Sequence, residues 1–142
     1  MKNIYVIGAL KNPNIAKVAK DLRDLGFEVF DDWFAPGPHT DEYWQDYEQK
    51  RGRGFIEALA GDHADNVFRF DLRHLTRADI VVLVLPCGKS SHLELGWALG
   101  QGKKGYILLP GEPERWDVMY RFATGVFTNL DALIHTLHRD EL

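Results

Sequence analysis

Two kinds of hydrophobic pattern alternate along this chain. Apolar runs without interruption occur at residues 4–9 and 80–85, with shorter strand-like segments at 27–30, 106–109 and 126–130. A continuous apolar run suits a strand buried on both faces, as in a parallel sheet covered by helices. Between these runs the spacing turns helical. Ile15, Val18, Ala19, Leu22 and Leu25 follow a start at Asn12-Pro13-Asn14 and stop at Gly26. Val67, Phe70, Leu72 and Leu75 precede the run at 80–85, and an amphipathic segment follows it from Ser91. A closing helix is expected over 131–137, begun by Asn129 or Asp131. This alternation predicts an α/β protein of one domain spanning 1–142. Its expected form is a Rossmann-like, flavodoxin-like three-layer sandwich whose mainly parallel sheet has about five strands.

One stretch breaks the rhythm. Residues 33–66 are dense in aromatics, acids, Pro and Gly, and such an excursion after a strand is longer than a simple connection requires. It predicts a substrate wall or lid, loop first and helical later. Trp33, Phe34, Tyr43, Trp44 and Tyr47 are candidates to stack on a planar base, Trp33 first among them because it directly follows the second strand. Tyr43, Trp44 and Tyr47 equally fit the buried stripe of an amphipathic helix.

Charge and composition narrow the partners. A net charge of -4 without Lys/Arg clusters argues against a nucleic-acid polymer, whereas a single nucleotide needs only a local nest of N–H groups. The single cysteine, Cys87, has no intrachain partner, and no apolar run reaches membrane-spanning length. A cytoplasmic protein away from membranes is the expectation. The closing letters RDEL resemble a retention signal, read here as coincidence. The opening β-loop-α-β segment carries neither G-x-G-x-x-G nor a P-loop, so Gly8 after the first strand is a weak signal. His135 and His138 lack a third ligand at metal spacing and read as surface residues; no metal and no cofactor is expected.

Candidate chemistry gathers after the run at 80–85. The turn Pro86-Cys87-Gly88 leads into Lys89, Ser90 and Ser91, and Ser91-His92-Leu93-Glu94 has the form of an S-x-x-E capping box. On that reading Ser91 caps the helix and Glu94 reaches back to the cap, which explains both without function. On the other, a carboxylate in the first helical turn is kept ionised by the helix dipole and is available as a nucleophile. Asp71 falls mid-helix among apolar neighbours, where a carboxylate is costly to bury unless it is paired or has a task. A salt bridge to Arg69, Arg73 or His74 would account for it as well.

Three segments together resemble the nucleoside 2-deoxyribosyltransferases and the related nucleoside 5-monophosphate N-glycosidases: IYVIGA with Tyr5, DLRHLTRADIVVLVLP with Asp71, and SSHLELGWALGQGK with Glu94. The resemblance covers most of the chain in architecture. It implies that Glu94 attacks the anomeric carbon, that Asp71 assists protonation or water activation, and that Tyr5 orients Glu94. It also implies a homo-oligomer, dimer or higher, in which a methionine near the C-terminus reaches a neighbouring subunit's site; Met119 is the candidate. Family transferases often carry an aspartate six residues before the nucleophile, and that position is Gly88 here. Ser91 matches the Ser/Thr of the same segment, while Ser90 and Lys89 add donors. Gly88, Ser90 and Ser91 at a helix start suit a 5-phosphate better than a free hydroxyl, and that favours hydrolysis over base transfer.

The expected activity is cleavage of the N-glycosidic bond of a nucleoside or nucleoside 5-monophosphate through a glycosyl-Glu94 intermediate. The remaining substrate contacts are assigned to Gly8 and Trp33. Two readings stand beside it: a TIR-like domain that cleaves NAD, and a nucleotide-sensing module in which Glu94 is only a cap.

Overall fold

The computed structural model describes all of residues 1–142. Five strands form one sheet: β1 (Asn3–Ile7), β2 (Glu28–Phe30), β3 (Ile80–Val84), β4 (Lys104–Leu108) and β5 (Gly125–Phe127). Their order is β2-β1-β3-β4-β5 and every pair is parallel. This is the flavodoxin-like arrangement expected from the alternating pattern. Six helices connect or cover the strands: α1 (Ile15–Leu25), α2 (Thr40–Lys50), α3 (Phe55–Leu59), α4 (Asp62–Arg77), α5 (Lys89–Gly100) and α6 (Leu130–Glu141). Short 3₁₀ turns stand at Asp32–Phe34 and Val118–Phe122.

The apolar runs became central strands because both faces of the sheet are covered. Ile4, Val6, Ile80 and Val82 point to one side and pack with Ile15, Val18, Leu22, Leu133 and Leu137 of α1 and α6. Tyr5, Ile7, Val81 and Leu83 point to the other and pack with Leu75 of α4 and Leu95 and Ala98 of α5. Each fully buried aliphatic side chain contributes about 1.5–3 kcal/mol. The period of two along β1 therefore sends Tyr5 toward α4 and α5, the helices that carry Asp71 and Glu94.

Element ends differ in detail from the pattern. β1 stops at Ile7, leaving Gly8 and Ala9 in the loop. A Cβ on Gly8 would sit 2.5 Å from Ile15 Cδ1, so a larger residue here would require the Ile15 side chain to shift. Gly26 ends α1 in the left-handed region at φ 114°. β5 begins at Gly125 and ends at Phe127, because Asn129 Oδ1 accepts a hydrogen bond from Ala132 N (2.8 Å) and caps α6.

The 33–66 excursion is a loop followed by α2 and α3. Tyr43 and Tyr47 are 68% and 52% exposed, so no buried stripe forms; Tyr47 instead lies under the Arg51 guanidinium. Trp44 alone is half-buried, edge-on to Phe55 at 6.5 Å. At the other end of the chain, the RDE of the RDEL letters folds into the last turn of α6 and Leu142 follows it. Glu141 is buried, accepting from Tyr106 Oη (2.9 Å) and pairing with Lys2 Nζ (2.8 Å). No helix is long and apolar enough to cross a membrane.

Candidate active site

Strand order reverses at β1, which lies between β2 and β3, and the connections leaving β1 and β3 diverge to opposite sides of the sheet. A crevice opens at such a switch point, beyond the carboxyl ends of the strands. Here it is a cavity of about 960 Å³. Tyr5, Gly8, Trp33, Asp71, Gly88, Ser90, Ser91 and Glu94 line it, whereas the other stacking candidates, Phe34, Tyr43, Trp44 and Tyr47, do not. Nor does Met119. It is 57% exposed in the 118–122 turn and borders a separate cleft of about 630 Å³ with His92 and Tyr120.

Glu94, Asp71 and Tyr5 share one electrostatic environment. Burial pushes the Glu94 carboxyl up to about 7; the Tyr5 hydroxyl acts against this as a hydrogen-bond donor, and the negative charge of Asp71 adds to it. Burial alone lifts Asp71 to about 6. Burial, with both carboxylates nearby, holds the Tyr5 hydroxyl far above its ordinary range, so it stays a neutral donor.

Both bland explanations of the carboxylates fail. α5 begins at Lys89 with Gly88 as its N-cap, no side chain caps it, and its first turn holds no acidic residue. Ser91 is therefore inside the helix, 2% exposed, and Glu94 lies in the second turn, facing the cavity. The capping box does not form. The helix dipole also does not dominate Glu94, because burial raises its pKa where a dipole would lower it. Asp71 has no ion pair: Arg69 is engaged by Asp65 at 2.8 Å, and the His74 ring stacks on Phe30 at 3.9 Å. Two carboxylates without cationic partners in a cavity are costly in stability and characteristic of function.

The rest of the wall is acidic. Asp32, Asp41 and Glu42 join Asp71 and Glu94, and Lys11 is the one Lys or Arg at the cavity. Lys11 is held at 2.6 Å by Glu42, whose pKa that hydrogen bond lowers. Trp33 forms a fixed side of the cavity because its Nε1–H donates to Val6 O (2.7 Å), which sets the plane of the indole. At the floor of the turn, the N–H groups of Lys89, Ser90 and Ser91 have no backbone acceptor, as at any helix start.

One structural residue of the site escaped the sequence reading. Asn12 is buried, donates from Nδ2 to Val84 O and Pro86 O (3.4 Å each), and accepts at Oδ1 from Asn14 N (2.9 Å). It ties the loop after β1 to the turn after β3, the two rims of the crevice. In the sequence it looks like a turn residue before Pro13, and nothing local marks its long-range contacts. Asn12→Ala is expected to cost about 1–3 kcal/mol by leaving those carbonyls unpaired, measured by urea unfolding; a loss under about 0.5 kcal/mol would refute the tie. Gln45, His63, Asn66 and Phe70 complete the α2 and α4 side of the wall.

Solved structures share this architecture. A 2-deoxyribosyltransferase from Bacillus psychrosaccharolyticus matches with 23% identity over 93% of this chain and 90% of that one, at a TM-score of 0.61. The CMP N-glycosidase BcmB of Clostridium botulinum matches with 18% identity over 96% and 98%, at a TM-score of 0.58. A conserved protein from Enterococcus faecalis V583 matches with 12% identity over 100% and 99%, at 0.67. No protein-family model and no curated protein matches the chain. At these identities the likeness is one of fold: the chain has the architecture of a 2-deoxyribosyltransferase and of a CMP N-glycosidase along nearly its whole length.

Proposed function

We propose that this protein cleaves the N-glycosidic bond of a nucleoside or nucleoside 5-monophosphate and releases the sugar to water. The observation that carries the reading is the pair of carboxylates, Glu94 and Asp71, without cationic partners in one cavity with the Tyr5 hydroxyl. The fold it shares with a 2-deoxyribosyltransferase and a CMP N-glycosidase supports the same chemistry.

In the first step the Glu94 carboxylate forms a bond to C1 of the sugar as the C1–N bond breaks through an oxocarbenium-like transition state. The bonding electrons leave with the base, and Asp71 delivers a proton to it. In the second step Asp71, now ionised, takes a proton from water whose oxygen attacks C1, and Glu94 departs as carboxylate. Both carboxyl groups return to their starting states, and the sugar configuration is retained overall by two inversions. Tyr5 supports Glu94 by donating toward it. Trp33 offers a flat face to the base.

The start of α5 is the proposed seat of a 5-phosphate. Its free N–H groups and Ser90 supply donors, and Lys11 supplies a positive charge once freed from Glu42. Glu42→Gln removes the competing carboxylate, so the KM for a 5-monophosphate is expected to fall about 3-fold while that of the parent nucleoside stays constant. A uniform change in both would argue against phosphate at this end. A second copy of the chain is the proposed partner at Met119, which lies outside its own cavity.

The deciding experiment incubates the protein with nucleosides, their 5-monophosphates and NAD, and separates free base by chromatography. Free base from one of the mononucleotides or nucleosides is the expected result. Nicotinamide release from NAD alone would replace this reading with the NAD-cleaving one, and stabilisation by ligand without product would indicate a sensing module.

A further inference from the structure

We propose that His92, braced by Tyr120, is a positioning residue that fixes the 88–91 turn and thereby sets substrate affinity without touching substrate. The inference rests on the glycosidase reading above. His92 is absent from the cavity lining, yet its Nδ1 lies 2.8 Å from Gly88 O and its Nε2 lies 2.9 Å from the Tyr120 hydroxyl. The two rings lie 5.8 Å apart at 23°. A carbonyl oxygen only accepts, so Nδ1 carries the hydrogen. In the neutral imidazole Nε2 then accepts from the Tyr120 O–H.

The brace acts on the exposed part of the turn. A Cβ added at Gly88 would meet nothing within 4 Å, and the residue is exposed. The starts of α1, α2, α3 and α4 are closed by backbone N–H groups of Val18, Tyr43, Ala58 and Asp65, each donating to the carbonyl four residues back. At α5 and α6 that bond is less well aligned, and at α5 the His92 side chain also engages the carbonyl, with Nδ1 2.8 Å from Gly88 O. The peptide joining Gly88 to Lys89 is planar and trans, so anchoring its C=O also fixes the direction of the Lys89 N–H on its opposite edge. Gly88 and Ser90 border the cavity, so this peptide belongs to the wall that substrate meets. Tyr120 belongs to the 118–122 turn, and through it the separate cleft is linked mechanically to the substrate-facing turn.

The test compares His92→Ala, His92→Asn and Tyr120→Phe with the wild-type chain, using whichever nucleoside or 5-monophosphate that chain cleaves. The Asn amide nitrogen falls where Nδ1 stands, so His92→Asn keeps the donor to Gly88 and loses the partner for Tyr120. Losing one positioning hydrogen bond predicts a KM about 5- to 10-fold higher in His92→Ala, with kcat within about 2-fold. His92→Asn is expected to recover most of the KM, and Tyr120→Phe to raise it about 2- to 3-fold. An unchanged KM in His92→Ala overturns the proposal. So does a joint loss of kcat, KM and melting temperature that Asn fails to rescue, because that marks a merely structural residue. A wild-type chain that releases no base at all overturns the glycosidase reading and this one with it, an outcome distinct from an active wild type with an indifferent His92→Ala.

Discussion

Glu94→Gln is expected to abolish base release, lowering kcat/KM by at least about 10³-fold, while leaving the protein folded. The size follows from removing the proposed nucleophile, since an amide oxygen cannot form the glycosyl ester. The folded state should even gain from the change. Burial raises the Glu94 carboxyl from its ordinary 4.5 to about 7. Below pH 4.5 it is protonated in both folded and unfolded chains and contributes nothing. Between pH 4.5 and about 7 the unfolded chain ionises while the folded one resists, so wild-type stability falls as pH rises through this window. Allowing for partial solvent access, the cost above pH 7 is on the order of 2 kcal/mol. Gln carries no such cost, so melting curves of the two proteins should agree near pH 4.5 and separate toward pH 8, with the variant higher. Turnover retained within about 10-fold would remove Glu94 from the mechanism, and parallel melting curves would show that it is not buried as described.

Asp71→Asn is the second large effect, a loss of about 10²- to 10⁴-fold from removal of a positioned acid and base. Its pH dependence carries more information than its size. Bond cleavage needs Glu94 ionised and Asp71 protonated, one proton shared between groups whose values lie at about 7 and about 6. The wild-type rate should rise and fall about a maximum between those values, the two limbs belonging to the pair rather than to either residue. In Asp71→Asn the limb caused by loss of the second proton disappears. The remaining one then reports Glu94 alone beside a neutral amide and lies no lower in pH than the wild-type acid limb, to which the more acidic Asp71 also contributes. A variant within about 3-fold of wild type, with an unaltered profile, would leave Asp71 without a chemical role.

Much of this arrangement is readable along the chain, for physical reasons. The runs that became β1 and β3 are apolar at every position because the sheet is covered on both faces, and that signal needs no knowledge of partners. Tyr5 could be assigned to the correct side only once the helices on each face were known, since a period of two does not say which face is which. The capping box at residues 91–94 illustrates the opposite failure. Its letters are right, but the helix starts earlier, at Lys89, where Gly88 leaves the backbone free to turn. Ser91 is drawn inside, and the same four residues acquire a different meaning. Asn12 and the pairing of Lys11 with Glu42 were illegible because their partners lie far away in the chain, where no local pattern reaches. Tyr43 and Tyr47, which fitted a stacking face and a buried stripe equally, do neither and lie on the surface.

The tie among Lys2, Tyr106 and Glu141 has a practical corollary. It brings residues near both ends of the sequence to one place, beside the amino end of β1, whereas the cavity opens beyond the carboxyl ends of β1 and β3. Anything joined before Lys2 or after Leu142 therefore departs from the side of the sheet remote from the chemistry. Attachment to a solid support through either end should leave substrate entry unobstructed, and a short linker bridging the two would suffice to close the chain into a ring.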